Sequence, residues 1–231
     1  MTTAEPSGDG IVRTSNGEQA ALYVRRLIFD GELKPGERVP QDDIAKALGI
    51  SRIPLREALI ALEREGWVTL EMHRGAFVNA VDERAVRDHY KLFSLVYAFT
   101  VKEALDRSGS ELVERLAEIE QELRAIDDRA TSGPVLLRFH ATVVDGARSN
   151  RIKVVLRAMS TIVPDDFFGV VPNAIGIEYS TIPAMVRALE RGDGDAAAAE
   201  YTKFFEQLAD EVVRVMRERG LFDLAHSEQA G

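Results

Sequence analysis

The chain has no cysteine among its 231 residues, which excludes a disulfide framework, thiolate chemistry and a cysteine-ligated zinc site. That fits a reducing cytoplasm. Long hydrophobic runs are missing as well. The longest uncharged, mostly apolar stretches, 92–101 and 167–177, are too short to span a bilayer. Residues 1–10 are polar and acidic and lack the basic start and apolar core of a signal peptide. These absences predict a soluble, cytoplasmic protein with no membrane partner. There is no nucleophile elbow, phosphate-binding loop, paired metal motif or Cys–His set, which argues against an enzyme. Adjacent Asp165 and Asp166 read as loop solvation, because neighbouring side chains rarely converge on one bond.

Positive charge is in short supply, and its placement matters more than its total. The net charge is −9, yet residues 11–81 hold ten basic and ten acidic groups, while residues 82–231 hold nineteen and twenty-six. The acidity therefore lies mainly in the C-terminal part. An apolar fraction of 45% and a charged fraction of 29% are ordinary for a globular protein, and the length allows one large or two modest domains.

Residues 1–15, rich in Gly, Ser, Thr and acids, are expected to be disordered. Helices are predicted from about Gly17 to Phe29 and from about Gln41 to Leu48, the second stopped by Gly49. A third follows, capped by Ser51, with Pro54 in its first turn, where a missing N–H costs little. Leu55, Ala58, Leu59 and Leu62 give it one apolar stripe, and it ends at Gly66. Two β-prone runs, 67–70 and 76–78, flank a short hairpin turn. From Asp82 onward strand signals cease. Amphipathic helices are expected over 83–104, 110–128, 134–147, 151–162, 178–190 and 195–218, with 164–176 a loop and the last dozen residues a frayed tail. The fold class is mainly α: an N-terminal winged helix-turn-helix with a small β-hairpin wing (16–80), then a C-terminal all-α helical bundle (82–218) and a flexible tail (219–231).

Arg52 and Arg56 lie four apart at the start of the third helix, hence one above the other and away from its apolar stripe. A helix buried along one side with guanidiniums on another is how a helix-turn-helix meets the DNA major groove. Each guanidinium can bond guanine O6 and N7 in a bidentate manner; two solvated surface arginines are the bland alternative. Glu63, two turns on, is a competing partner for Arg56. Ser51 is both a cap and a phosphate donor, and Arg38 and Lys46 are phosphate-contact candidates.

Gly31–Arg38, Ser51–Leu59, Leu62–Trp67 and Arg74–Val78 together resemble the headpiece of the GntR family of bacterial regulators. The helical remainder, with Arg138-Phe-His140, Ser149-Asn150 and Ala188–Asp193, resembles more loosely that family's FadR-type (FCD-like) effector domain. The resemblance implies a homodimeric transcription factor, most simply a repressor, that binds a pseudopalindromic double-stranded DNA operator and answers to a small-molecule effector. It implies wing-tip contacts to the minor groove from His73, Arg74 and Gly75. Where many relatives carry an Arg early in the second helix, this chain has Asp42 and Asp43, read as helix N-terminal charges.

Many FadR-type domains hold a divalent metal through an Asp, a His four residues later and two further His. Here His140 matches the first His, Leu136 stands at the Asp, and the later positions fall near Ile182 and Phe204. One imidazole cannot make a several-ligand site, and neither His89 nor His226 supplies the deficit, so no metal or other cofactor is expected. An Arg that holds carboxylate effectors in relatives is replaced near Phe93. Phe93, Tyr97, His140, Tyr179 and Tyr201, with Phe205, are expected to line a largely apolar pocket for an uncharged or amphiphilic effector, unless these aromatics are plain packing core. Two other functions compete: an enzyme with an accessory DNA-binding-like domain, and a protein-interaction module using the winged fold without DNA.

Overall fold

The structure, a computed structural model, describes residues 15–160, 167–171 and 173–222. Residues 1–14, Asp165, Asp166, His226 and the last nine residues, on which several expectations fell, lie outside the described residues. Ser15 does not: it caps the first helix in a closed capping box, its hydroxyl accepting from Glu18 N–H at 3.2 Å while its own N–H donates to the Glu18 carboxylate at 2.7 Å.

Three helices, α1 (Asn16–Phe29), α2 (Gln41–Leu48) and α3 (Arg52–Arg64), precede a hairpin of β1 (Val68–Glu71) and β2 (Gly75–Val78). The strands pair antiparallel with Val68 opposite Val78. The expected α3 stripe is the domain's centre, with Leu55, Ala58, Leu59 and Leu62 all buried against Val24 and Ile28 of α1. Buried Arg25 donates to Glu65 at 2.6 Å, tying α1 to the end of α3. Gly49 takes the left-handed C-cap of α2 as expected, at φ 64. The architecture is a winged helix-turn-helix.

The rest is helical: α4 (Glu83–Arg124), a 3-10 turn at Arg129–Thr131, α5 (Gly133–Gly146), α6 (Asn150–Met159), α7 (Phe167–Val170), α8 (Ala174–Glu190) and α9 (Gly194–Glu218). Helix α4 joins the two helices expected over 83–104 and 110–128, but Gly109 interrupts it at φ 49, ψ −129. Side-chain-bearing residues avoid this backbone geometry. The break lets both halves pack into one bundle instead of running on as a single rod.

Two expectations need correction. The loop predicted over 164–176 contains α7 and the start of α8, so Glu178 sits a full turn inside a helix rather than at its first residue. The tail predicted from residue 219 is anchored at its start. Leu221 is fully buried, its carbonyl accepts from Val81 N–H at 3.3 Å, and the Arg219 guanidinium donates to Asp30 at 2.9 Å and to the Phe29 carbonyl at 3.2 Å. The same guanidinium lies 4.8 Å over the Phe29 ring. The end of α9 is thereby fastened to the end of α1.

A Cβ at Gly109 would meet nothing within 4 Å, so Gly109→Ala isolates the backbone cost. Urea unfolding should show a loss of about 1–3 kcal/mol. An unchanged midpoint would mean that the helical domain tolerates a relaxed geometry there.

Candidate functional site

The headpiece assembles its polar residues on one exposed edge. Ser51, Arg52 and Arg56 are all exposed, on the side of α3 opposite the leucine stripe. Arg52 is 81% exposed, and its guanidinium meets the Asp42 carboxylate at 2.9 Å. Asp42 is thus more than the helix N-terminal charge expected of it. Arg38 and Arg52 line one depression together with Asp42 and Asp43, which brings a phosphate-contact candidate and a base-reading candidate to the same place. Glu63 does not compete for Arg56: its carboxylate accepts from Leu70 N–H at 2.8 Å and serves the wing. Ser51 occupies the N-cap position but makes no capping hydrogen bond through its side chain, contrary to expectation, so its hydroxyl is available to a phosphate.

Wing-tip residues His73 and Arg74 are exposed, His73 at φ 63. Arg74 pairs with Glu71 and lies 5.3 Å over the Phe77 ring. Gly75 is at φ 108, and a Cβ there would come within 3.0 Å of Arg38 Nε, so this glycine lets Arg38 pass beneath the wing. One residue escaped the sequence reading. Ile53, 71% exposed beside Arg52, offers an apolar contact of the kind that suits a thymine methyl. Its signal was available, because it is an aliphatic residue on the polar side of an otherwise regular stripe.

The helical domain carries an open-sided cavity of about 270 Å³. Phe93 and Tyr97 of α4, Phe167 and Phe168 of α7, and Phe204 and Phe205 of α9 stand around it. Its polar end joins three helices. The Nε2 of His140 meets both Glu178 carboxylate oxygens, at 2.9 and 3.0 Å, and Nδ1 is 3.2 Å from the Tyr201 hydroxyl. A neutral imidazole satisfies both contacts, with the Tyr201 hydroxyl donating to Nδ1 and Nε2–H donating to the carboxylate. Burial pushes the Tyr97 hydroxyl well up, aided by the Glu178 charge, and pushes up that of Tyr201, aided by Tyr97 and Glu178. Both rings stay neutral, stacked 5.1 Å apart.

Of the expected effector residues, Phe93, Tyr97 and His140 line this cavity, and Tyr201 lies fully buried behind His140. Tyr179 does not belong to it. Its hydroxyl donates to the Leu123 carbonyl at 3.1 Å, and the Arg129 guanidinium covers its ring at 4.5 Å, in a separate groove. The phase of α8 turns Glu178 toward the cavity and Tyr179 toward Leu123 and Arg129. It presents Glu178, which the sequence reading overlooked.

The donor set does not suit the divalent metal that the resemblance brings to mind. Leu136, Ile182 and Phe204 are buried hydrocarbon. His140 and Glu178 are engaged with each other, and among the described residues no three His, Asp, Glu or Cys side chains gather as a metal site would need.

A winged helix-turn-helix that displays arginines on its recognition helix and wing, joined to a helical domain with an aromatic pocket, defines a class of DNA-binding regulators. Residues 16–78 match the family described as "Bacterial regulatory proteins, gntR family", and the N-terminal domain is a GntR-family DNA-binding domain. Over 79% of the chain and 75% of the relative, the sequence is 27% identical to an uncharacterized HTH-type transcriptional regulator of Mycobacterium tuberculosis. It is also 27% identical, over 81% of the chain and 84% of the relative, to a probable D-xylose utilization operon transcriptional repressor of Paenarthrobacter nicotinovorans. Among solved structures, a putative transcriptional regulator GntR from Rhodococcus sp. RHA1 superposes with a TM-score of 0.55 at 25% identity, covering 87% of this chain and 99% of that one. These similar proteins are regulators and not enzymes. The chain is a DNA-binding transcriptional regulator with a GntR-family headpiece at residues 16–78, and no helix among the described residues is long and apolar enough to cross a membrane.

His89, half-buried at the cavity wall, is held below the usual histidine range by desolvation. Its folded-state pKa lies under its unfolded value of roughly 6.5, so its neutral form supports the fold above that pH and the support is lost as pH falls through the lower folded value. The thermal midpoint should therefore drop between pH 7 and pH 5, and His89→Gln should flatten that drop. An equal slope in both proteins would assign the titration to another group.

Proposed function

We propose that this regulator is a homodimeric repressor whose DNA affinity is set by a small molecule bound, without a metal, in the aromatic cavity of the helical domain. The observation that carries this reading is the continuity of α9. Phe204, Phe205 and Leu208 line the cavity, and eleven residues beyond Leu208, roughly 16 Å along the axis, Arg219 grips α1 of the headpiece. A ligand that favours one placement of α9 over another biases the headpiece by its difference in affinity for the two placements, and by no more than that.

DNA reading is assigned to Arg52 and Arg56 in the major groove, to Ser51 and Arg38 at phosphates, and to His73, Arg74 and Gly75 at the adjacent minor groove. Fluorescence anisotropy on duplex from upstream of the protein's own gene tests this assignment. Arg52→Ala and Arg56→Ala should each cost about 1–3 kcal/mol on that duplex and much less on a scrambled one. Asp42→Asn should do the reverse. Freeing Arg52 from an exposed ion pair, itself worth up to ~1 kcal/mol, should raise affinity for both duplexes by about two- to fivefold. Equal binding of both duplexes by the wild type would remove sequence reading from α3.

Dimerisation is supported by α4. Leu92, Leu95 and Phe99 are 58%, 64% and 53% exposed, at i, i+3, i+7 spacing on the side away from the cavity. Aliphatic and aromatic side chains so aligned suit a self-complementary two-fold interface, which would place two headpieces on two half-sites. Leu95→Glu should shift sedimentation equilibrium from dimer to monomer with the helical circular dichroism intact. A variant that stays dimeric would move the interface elsewhere.

A further inference from the structure

We infer that the cavity takes an organic ammonium ion with an apolar body of about one aromatic ring, and that Glu178 supplies the counter-charge. The inference rests on the effector-pocket reading above and adds the chemical class of the ligand. Glu178 is 2% exposed, yet its carboxylate faces the cavity. The polar partner it has is His140, whose one N–H is shared between its two oxygens. A carboxylate offers about four lone-pair sites, so acceptor capacity remains for a further donor. No Arg or Lys lines the cavity among the described residues.

The charge balance then selects the ligand. With His140 neutral, the polar end of the cavity carries one negative charge; with it protonated, the pair carries none. His89, the other titratable cation former at the wall, is kept neutral by burial. With Glu178 ionised, neither state of His140 gives the pair a net positive charge, and a carboxylate ligand would bring a second negative charge beside a desolvated one. A neutral ligand could fill the cavity but would leave the remaining lone pairs of Glu178 unused. An ammonium head would donate to them, and the aromatic side chains of Phe93, Tyr97 and Phe204 that line the cavity are the kind of neighbour that attracts a cation. A volume of about 270 Å³ accommodates a single-ring amine.

Isothermal titration of the full chain with three probes of one shape, phenylbutylammonium, phenylbutanol and phenylbutanoate, tests the inference. The ammonium should bind about tenfold tighter than the alcohol, and the alcohol tighter than the acid. Glu178→Gln should abolish the preference for ammonium over alcohol while leaving the alcohol bound. Leu137→Arg, at an exposed position on the cavity rim, should weaken the ammonium and strengthen the acid. If the Gln variant does not fold, the wild-type ranking and the Leu137→Arg shift decide the matter. The inference is overturned if the acid equals the ammonium, if none of the three binds, or if a folded Glu178→Gln protein keeps the preference. Anisotropy on operator duplex separates it from the reading beneath it. Ammonium that binds in the expected rank without changing DNA affinity leaves the ligand class standing and removes ligand control. Acid that binds best and releases DNA does the opposite.

Discussion

The buried face of α9 is the constraint on which the helical domain depends. From Ala197 through Tyr201, Phe204, Phe205, Leu208, Val212 and Met216 its residues are buried along six turns, against α4 on one side and α8 on the other. A run of large side chains at 3.6-residue spacing cannot slide or rotate without exposing several of them at once, each costing about 1.5–3 kcal/mol. Phe204 and Phe205 belong to that packing and to the cavity wall alike. The pocket is therefore a local shortage of filling in an otherwise rigid seam, and its shape is inherited from the bundle.

How much of this was legible beforehand depended on periodicity. The α3 stripe, the Gly49 stop and the hairpin follow from short-range patterns, and the structure keeps them within a residue or two. Glu178 was hidden because Gly176 and the apolar run before it suggested a loop, which moved the predicted helix start onto the residue that mattered. Aromatic composition points to Tyr179 instead, whereas the phase of α8 turns Glu178 inward. Arg219 fell beyond the last apolar repeat, where nothing in the local pattern signals an attachment to residues nearly two hundred positions earlier. The Asp42–Arg52 pair joins two helices across a turn, and spacing alone does not reveal such a contact.

The polar end of the cavity is small and firmly held. Leu136, Ile182 and Phe204, where the resemblance puts metal donors, are buried hydrocarbon, and Phe204 stands in the cavity wall. What survives is an imidazole whose two nitrogens are engaged by Tyr201 and Glu178, an arrangement that fixes its ring and its tautomer. The pocket keeps one oriented polar end in an aromatic chamber.

The ion pair between Asp42 and Arg52 bears on how the protein searches a genome. A duplex attracts proteins chiefly through its phosphates, and a headpiece with equal numbers of positive and negative groups displaces few counterions when it lands. With one of its guanidiniums already occupied by a carboxylate, a random encounter returns little and ends quickly. Against roughly 10⁶ or more competing sites, brief dwell times on wrong sequence leave more molecules free at any moment to find the right one. Weak general adhesion, which looks like a defect in an acidic DNA-binding protein, lets a small number of copies keep an operator occupied.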